Sequence, residues 1–425
     1  MSRDLGQGFT ISNNRHMHGE TATGRTMNQH SHPRPDFDEI IDRVGTRCSK
    51  WDDMQGTYGV APDEGGLAMW VADMDFRPPA AVQRAVEDVA AHGVYGYPGA
   101  NRPYLDAIRW WMENRHGWKI DIDWILTCAG LVNGVAMALD AYTEAGDGVI
   151  VMSPVYHAFG RVIRASGREL VELPLAQEDG LYRMDWNGWE SRLTGRERLL
   201  ILCSPHNPGG RVWTTGELRE VADFCIRHDL ILVSDEIHCD LVMPGHKHSV
   251  TATVCPDIAD RLVTLTAATK TFNIAGAHIG NAIIADKALR DRFKAALMAR
   301  GISPGLFGMD MVTAAYSPEG AAWVDALVDY LDGNRRIFDA GIHAIPGLRS
   351  MPLQATYLSW VDFSGTGMAP AEFTARVEKA ARIAANHGAT FGTGGEDFLR
   401  FNLATPRARV TEAVERLQQA FADLQ

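Results

Sequence analysis

Leu199-Leu-Ile-Leu-Cys-Ser-Pro-His-Asn-Pro-Gly-Gly210 is an apolar run that stops at a cluster of turn formers. Two further segments are built the same way: Leu230-Ile-Leu-Val-Ser-Asp-Glu-Ile-His238 and Leu262-Val-Thr-Leu-Thr-Ala-Ala-Thr-Lys-Thr-Phe-Asn273. Short apolar runs rich in β-branched residues and bounded by turn formers read as buried strands. Just past the three strands stand Asn207, Asp235 and Lys270. In open α/β sheets, ligands bind at the rim formed by the carboxyl ends of the strands.

The pattern continues on both sides. From about residue 79 to 286, helical periodicity alternates with strand-like runs. The helical stretches are 80–92, 104–116, 132–144, 159–166 and 215–228. The further strands are 124–127, 148–152, 169–173 and 280–284. This alternation predicts an α/β fold with a seven-stranded, mostly parallel sheet between helices. After residue 288 long amphipathic helices (289–300, 320–343) lead to a strand at 356–361, a helix at 371–387, a strand at 398–403 and a helix at 411–424. That texture predicts a smaller α+β domain at 316–425, with a large domain at 79–315. Segment 36–78 precedes the alternation and is expected to pack with the small domain. Residues 1–35 are polar and hold His16, His18, His30 and His32. Their irregular spacing reads as a flexible tail rather than a metal site, and Met27 is a candidate natural start.

Composition excludes several classes. The net charge of −12 offers no basic surface for nucleic acid. No 18-residue apolar stretch suggests a membrane span, and no apolar leader suggests secretion. Six cysteines without a CxxC pair read as buried reduced thiols in a cytoplasmic protein, and no metal is expected.

The residues at the rim suggest one chemistry. A lysine amine that condenses with an aldehyde, an aspartate facing a pyridine nitrogen and an asparagine donating to a ring oxygen form the set that pyridoxal phosphate needs. Taken singly, each has a plain structural reading: a surface lysine, a helix-capping aspartate, a turn asparagine. His238, three residues after Asp235, would face the same pocket and could donate to the ring oxygen. Gly130-Leu131-Val132 opens a helix after a strand, where backbone N–H groups bind anions. Tyr156, after the strand ending near Met152, could stack on a ring. Arg400 lies inside an apolar strand and wants a partner, such as a substrate carboxylate held by both arms of its fork.

With these residues in place, the chain from about Phe37 onward resembles fold-type I pyridoxal-phosphate enzymes of the class I/II aminotransferase superfamily. Within it the chain is similar to the MalY/PatB-type cystathionine β-lyases. The matches are Phe37-Asp-Glu-Ile-Ile-Asp-Arg, Lys50-Trp-Asp, Met69-Trp-Val-Ala-Asp-Met-Asp-Phe76, Tyr95-Gly-Tyr97 and the three islands already quoted, the last continuing to Gly276. Trp70–Phe76 discriminates best.

The resemblance implies that Lys270 bonds the cofactor, Asp235 pairs with its pyridine nitrogen and Asn207 donates to its ring oxygen. It implies that Tyr156 stacks, that Gly130, Leu131, Val132 and Thr269 hold the phosphate, and that Tyr97 reaches the phosphate of a partner subunit in a homodimer. Arg400, Ala72 and Asp73 fall on the substrate side. Two positions depart from the wider superfamily: His278 stands where an arginine often holds the phosphate, and Ala267 where a serine is common. The implied activity is β-elimination from cystathionine or another L-cysteine S-conjugate. An aminotransferase using the same residues is the alternative, and a regulatory partner-binding protein that keeps the cofactor is a third reading.

Overall fold

The computed structural model describes residues 35–99 and 101–424. The readings made for residues 1–34, including the four histidines and Met27, lie outside them.

The central sheet has seven strands, in the order Ile125–Cys128, Gly280–Ile283, Leu262–Thr266, Ile231–Asp235, Glu197–Cys203, Gly148–Val151, Glu169–Glu172. All neighbours pair in parallel except Gly280–Ile283, which runs antiparallel to both of its partners. Leu199, Leu200, Ile201 and Leu202 are all fully buried, as a strand covered on both faces requires. On one face, helix Leu131–Tyr142 packs Val135 and Leu139 among Leu199, Ile201 and Val263. On the other, helix Thr215–Arg227 packs Leu218, Val221 and Phe224 among Leu200, Leu202 and Leu232. Thr214 and Glu217 form the capping box that starts this second helix, with the Thr214 N–H donating to Glu217 at 2.8 Å.

A second, antiparallel sheet orders Arg349–Ser350, Leu358–Asp362, Phe398–Asn402 and Asn386–His387. The 26-residue helix Pro318–His343 crosses helix Arg407–Ala420 closely at Gly341, where a Cβ would lie 2.2 Å from Val414. Leu67–Ala68 pairs in parallel with Ile383–Ala384, so the chain before the regular alternation is tied to the C-terminal region.

Three local readings need correction. The helix expected over 371–387 ends early. Helix Pro370–Ala375 runs into a wide turn at Arg376–Ala380, Arg382 takes a left-handed φ of 55°, and residues 383–384 and 386–387 become strands. The alanine-rich sequence favours helix, but pairing with Leu67–Ala68 and with Phe398–Asn402 outweighs that weak preference. Lys270 sits not in an open loop but in a helical turn, Ala268–Thr271. The stretch between the helices expected at 289–300 and 320–343, left without an element, contains helix Leu306–Ala315.

Candidate active site

Cys203, Asp235 and Leu265 lie side by side in neighbouring strands. The chain leaving each strand end carries Asn207, Asp235 itself and Lys270 to one rim. There they border a cavity of about 330 Å³. Its wall also includes Ala72, Gly130, Leu131, Val132, Tyr156, His238 and Thr269, so ten of the thirteen residues named from sequence converge on one space.

Arg400 stands behind that wall. Its side chain is buried, and it donates to Asn207 Oδ1 at 2.8 Å, to Trp70 O at 3.0 Å and to Asn386 Oδ1. Its guanidinium lies 4.9 Å from the centre of the Phe391 ring, and its Nε has no partner. Burial lowers its pKa to about 10, which still leaves it charged at neutral pH. Because Asn207 turns its oxygen to Arg400, its NH₂ is the end left to donate elsewhere.

Asp73 and Tyr97 do not join this cavity. The Asp73 carboxylate turns away to a two-armed pair with Arg43, at 3.0 and 3.1 Å. Two nearby cations, Arg43 and the buried Lys50, make that side electrostatically favourable. Tyr97 is 100% exposed.

Electrostatics set the protonation states. Burial pushes Asp235 up to about 7; a hydrogen bond from Ile237 N at 3.1 Å and the Lys270 charge oppose it, while Glu236 adds to it. A buried carboxylate this uncomfortable calls for a cationic N–H partner. Burial lowers Lys270 to about 8, with Arg400 acting the same way and Asp73 and Asp235 acting against it. A lysine near 8 is partly a free amine at neutral pH, as a nucleophile or base must be. Burial, helped by Lys270 and Arg400, drops His238 to about 3, so it is neutral; its Nδ1 has no partner.

These features fit a pyridine ring bearing a phosphate. Asp235 suits a ring N–H⁺, and Asn207 and His238 offer unspent polar atoms toward the ring. Gly130, with φ 92° and ψ 165°, holds a conformation essentially reserved for glycine, and a Cβ there would meet open space. This turn starts helix Leu131–Tyr142, whose first N–H groups suit an anion.

The segment Trp70–Phe76 is held along its length. It is an irregular strap whose carbonyls are taken by side chains from across the molecule. Asn402 donates to Val71 O at 2.6 Å, Lys270 to Ala72 O at 2.5 Å, and Asn273 to Met74 O and Phe76 O at 2.9 and 2.7 Å. Beneath it, Asp75 accepts from Arg43, Trp51 and Lys50 within 3.0 Å. Ala72 is thus held at the cavity wall by its backbone.

Sequence reasoning missed several residues. Ala129, Arg161, Ile237 and Cys203 also line the cavity. Asn386, which holds Arg400, was hidden by the mistaken helix. Tyr357 was taken for an ordinary strand residue, yet its hydroxyl donates to Ala72 O at 3.0 Å. Behind Lys270, Thr271, Trp111 and His116 all engage the buried Asp240, bracing the turn that carries the lysine.

Comparison with known proteins agrees with this geometry. Residues 71–417 match the family model described as aminotransferase class I and II. The chain is 38% identical over 390 residues to cystathionine beta-lyase PatB of Bacillus subtilis, covering 91% of this chain and 100% of that protein. It is 32% identical to Protein MalY of Escherichia coli, covering 91% and 98%. The crystal structure of cystalysin from Treponema denticola, which contains pyridoxal 5'-phosphate, superposes with a TM-score of 0.87 at 35% identity, covering 92% and 100%.

Proposed function

Because this chain belongs to the class I and II aminotransferase family, we propose from its lyase-named relatives that it is a pyridoxal-phosphate-dependent carbon–sulfur β-lyase of the cystathionine β-lyase type. The observation that carries the reading is the convergence of Lys270, Asp235 and Asn207 on one cavity beside the Trp70–Phe76 strap.

The bound cofactor supplies an electron-withdrawing ring that stores the charge left when the substrate's Cα–H bond breaks. The protein does the rest. Asp235 would keep the ring nitrogen protonated, Asn207 and His238 would donate toward the ring oxygen, and Tyr156 would stack on the ring. Gly130, Leu131, Val132 and Thr269 hold the phosphate, with His278 on the same wall. Arg400, buried and without a carboxylate partner, grips the substrate α-carboxylate, and Ala72 borders the substrate. Asp73, turned to Arg43, acts on the site through the strap and its charge. Lys270 removes the Cα proton and returns one as the thiolate leaves Cβ. The products are a thiol and aminoacrylate, which water hydrolyses after release to pyruvate and ammonia.

The protein acts as a homodimer in which Tyr97 reaches the partner's phosphate. The full exposure of Tyr97, beside exposed Val94 and Tyr95, supports this reading. Six buried, unpaired cysteines support a reducing, cytoplasmic setting. Among the described residues no helix is long and apolar enough to cross a membrane.

Incubation with L-cystathionine tests the activity. Pyruvate, ammonia and homocysteine are expected in equal amounts. Amination of an added 2-oxo acid without pyruvate would instead identify a transaminase.

A further inference from the structure

Lys270 Nζ and the Tyr357 hydroxyl donate to the same acceptor, Ala72 O, at 2.5 and 3.0 Å. Tyr357 is fully buried, and its ring lies edge-on to His238, with centroids 6.1 Å apart. Burial holds its phenol well above the ordinary tyrosine range, so it remains a donor throughout the neutral range.

A second observation points to the same residue. Thr356, immediately before it, has φ 71°. A β-branched residue in the left-handed region is a genuine outlier, and such strain concentrates where a site needs it. Thr356 is pinned there by its N–H to Leu241 O at 2.7 Å and by its hydroxyl, which accepts from Leu358 N at 3.1 Å. The turn that this φ creates delivers Tyr357 to the strap.

We propose that Tyr357 is a positioning residue for Lys270: by sharing Ala72 O with the amine, it limits how firmly that carbonyl holds the free lysine where it waits between proton transfers. The role rests on the lyase reading for its chemistry but not for its test. Lys270 must leave the cofactor to act as a base, and a free amine on a flexible stem loses rate unless an acceptor holds it near Cα. The carbonyl of Ala72 is that acceptor. The strap is anchored on one side by Asn402 and on the other by Asn273, so the acceptor cannot follow the lysine away. Tyr357 takes part of the carbonyl's hydrogen-bonding capacity, which keeps the amine from binding there too firmly as an ammonium.

Tyr357→Phe removes the hydroxyl and keeps the ring. In the cofactor-free full chain, Lys270 acylation by acetic anhydride, followed by peptide mass across pH, reads the amine directly. The charged groups facing it are Asp73, Asp235 and Arg400. The wild-type midpoint is expected near 8, and in Tyr357→Phe it moves higher, because the whole carbonyl then serves the ammonium. Thr356→Gly keeps the Tyr357 hydroxyl but, by removing the Thr356 hydroxyl that pins the turn, relaxes its aim, and is expected to shift the midpoint the same way by less. In the loaded enzyme, Tyr357→Phe should lower kcat about three- to tenfold with little change in KM, the scale of one hydrogen bond. An unmoved midpoint with wild-type kcat overturns the proposal. A rise in KM alone overturns it too, since that marks a substrate contact. The midpoint is read without substrate, so failure of the lyase reading would leave it interpretable.

Discussion

Asp235→Asn separates what the site costs the fold from what it gives the chemistry. Asp235 is 5% exposed and its pKa is raised from 3.8 to about 7. The difference is roughly three units, at about 1.4 kcal/mol each, so the ionised form is disfavoured in the cofactor-free chain by about 4 kcal/mol. For a raised folded pKa, the group contributes fully to stability only below its unfolded value. That contribution fades as pH climbs from about 4 to about 7 and is gone above. Asparagine, never ionised, escapes the penalty. The cofactor-free variant is therefore expected to be more stable than wild type at pH 8, by up to about 4 kcal/mol, and indistinguishable near pH 4. Denaturant unfolding at the two pH values measures this. Activity should move the opposite way. A cationic ring nitrogen would recover most of that penalty by pairing with the carboxylate, and asparagine cannot. If that stabilisation is lost from the rate-limiting transition state, the barrier rises by about 4 kcal/mol and kcat falls about a thousandfold. A variant that keeps kcat within tenfold of wild type, or is less stable at pH 8, refutes the assignment of Asp235 to the ring nitrogen.

Asp75→Asn should destabilise the fold by about 3–5 kcal/mol in denaturant unfolding, because it takes from the fully buried Lys50 the carboxylate it bonds at 3.0 Å, while Arg43 keeps its pair with Asp73. Burial alone would raise the Asp75 pKa, but Lys50, Trp51 and Arg43 outweigh it and lower it to about 2. Its stabilising contribution is thus present above about pH 4 and lost as pH falls toward 2, which acid unfolding of wild type and variant will show as a narrowing difference. Gly130→Ala should cost about 1–3 kcal/mol of backbone strain at φ 92° and weaken pyridoxal phosphate binding, read by absorbance titration. Arg400→Lys loses the planar fork and should raise KM for the amino-acid substrate about 10- to 100-fold while the cofactor's visible absorbance is retained.

Much of this was legible in the chain because strands and their ends are local. The helix expected at 80–92 is observed as Ala80–His92, and the three polar islands did mark the rim of one cavity. What was hidden depends on distant partners. Nothing near residue 382 announces a left-handed turn; strand pairing with Leu67–Ala68 imposes it, and Asn386 was misplaced as a result. The family resemblance put Asp73 on the substrate side with Ala72, but Arg43, thirty residues earlier, draws the carboxylate off. Tyr357 carried no motif, since its role rests on a carbonyl 285 residues away in sequence. The motif Trp70–Phe76 was legible, but its part in the fold was not, since side chains from five regions meet its backbone.

The central claim is elimination rather than amino transfer, and counting turnovers without any added 2-oxo acid tests it most directly. A lyase regenerates its cofactor in every cycle, so pyruvate from L-cystathionine should accumulate to many equivalents per site. A transaminase would stop after one equivalent of oxo product per site and resume only when a 2-oxo acid is supplied, and that result would contradict the account.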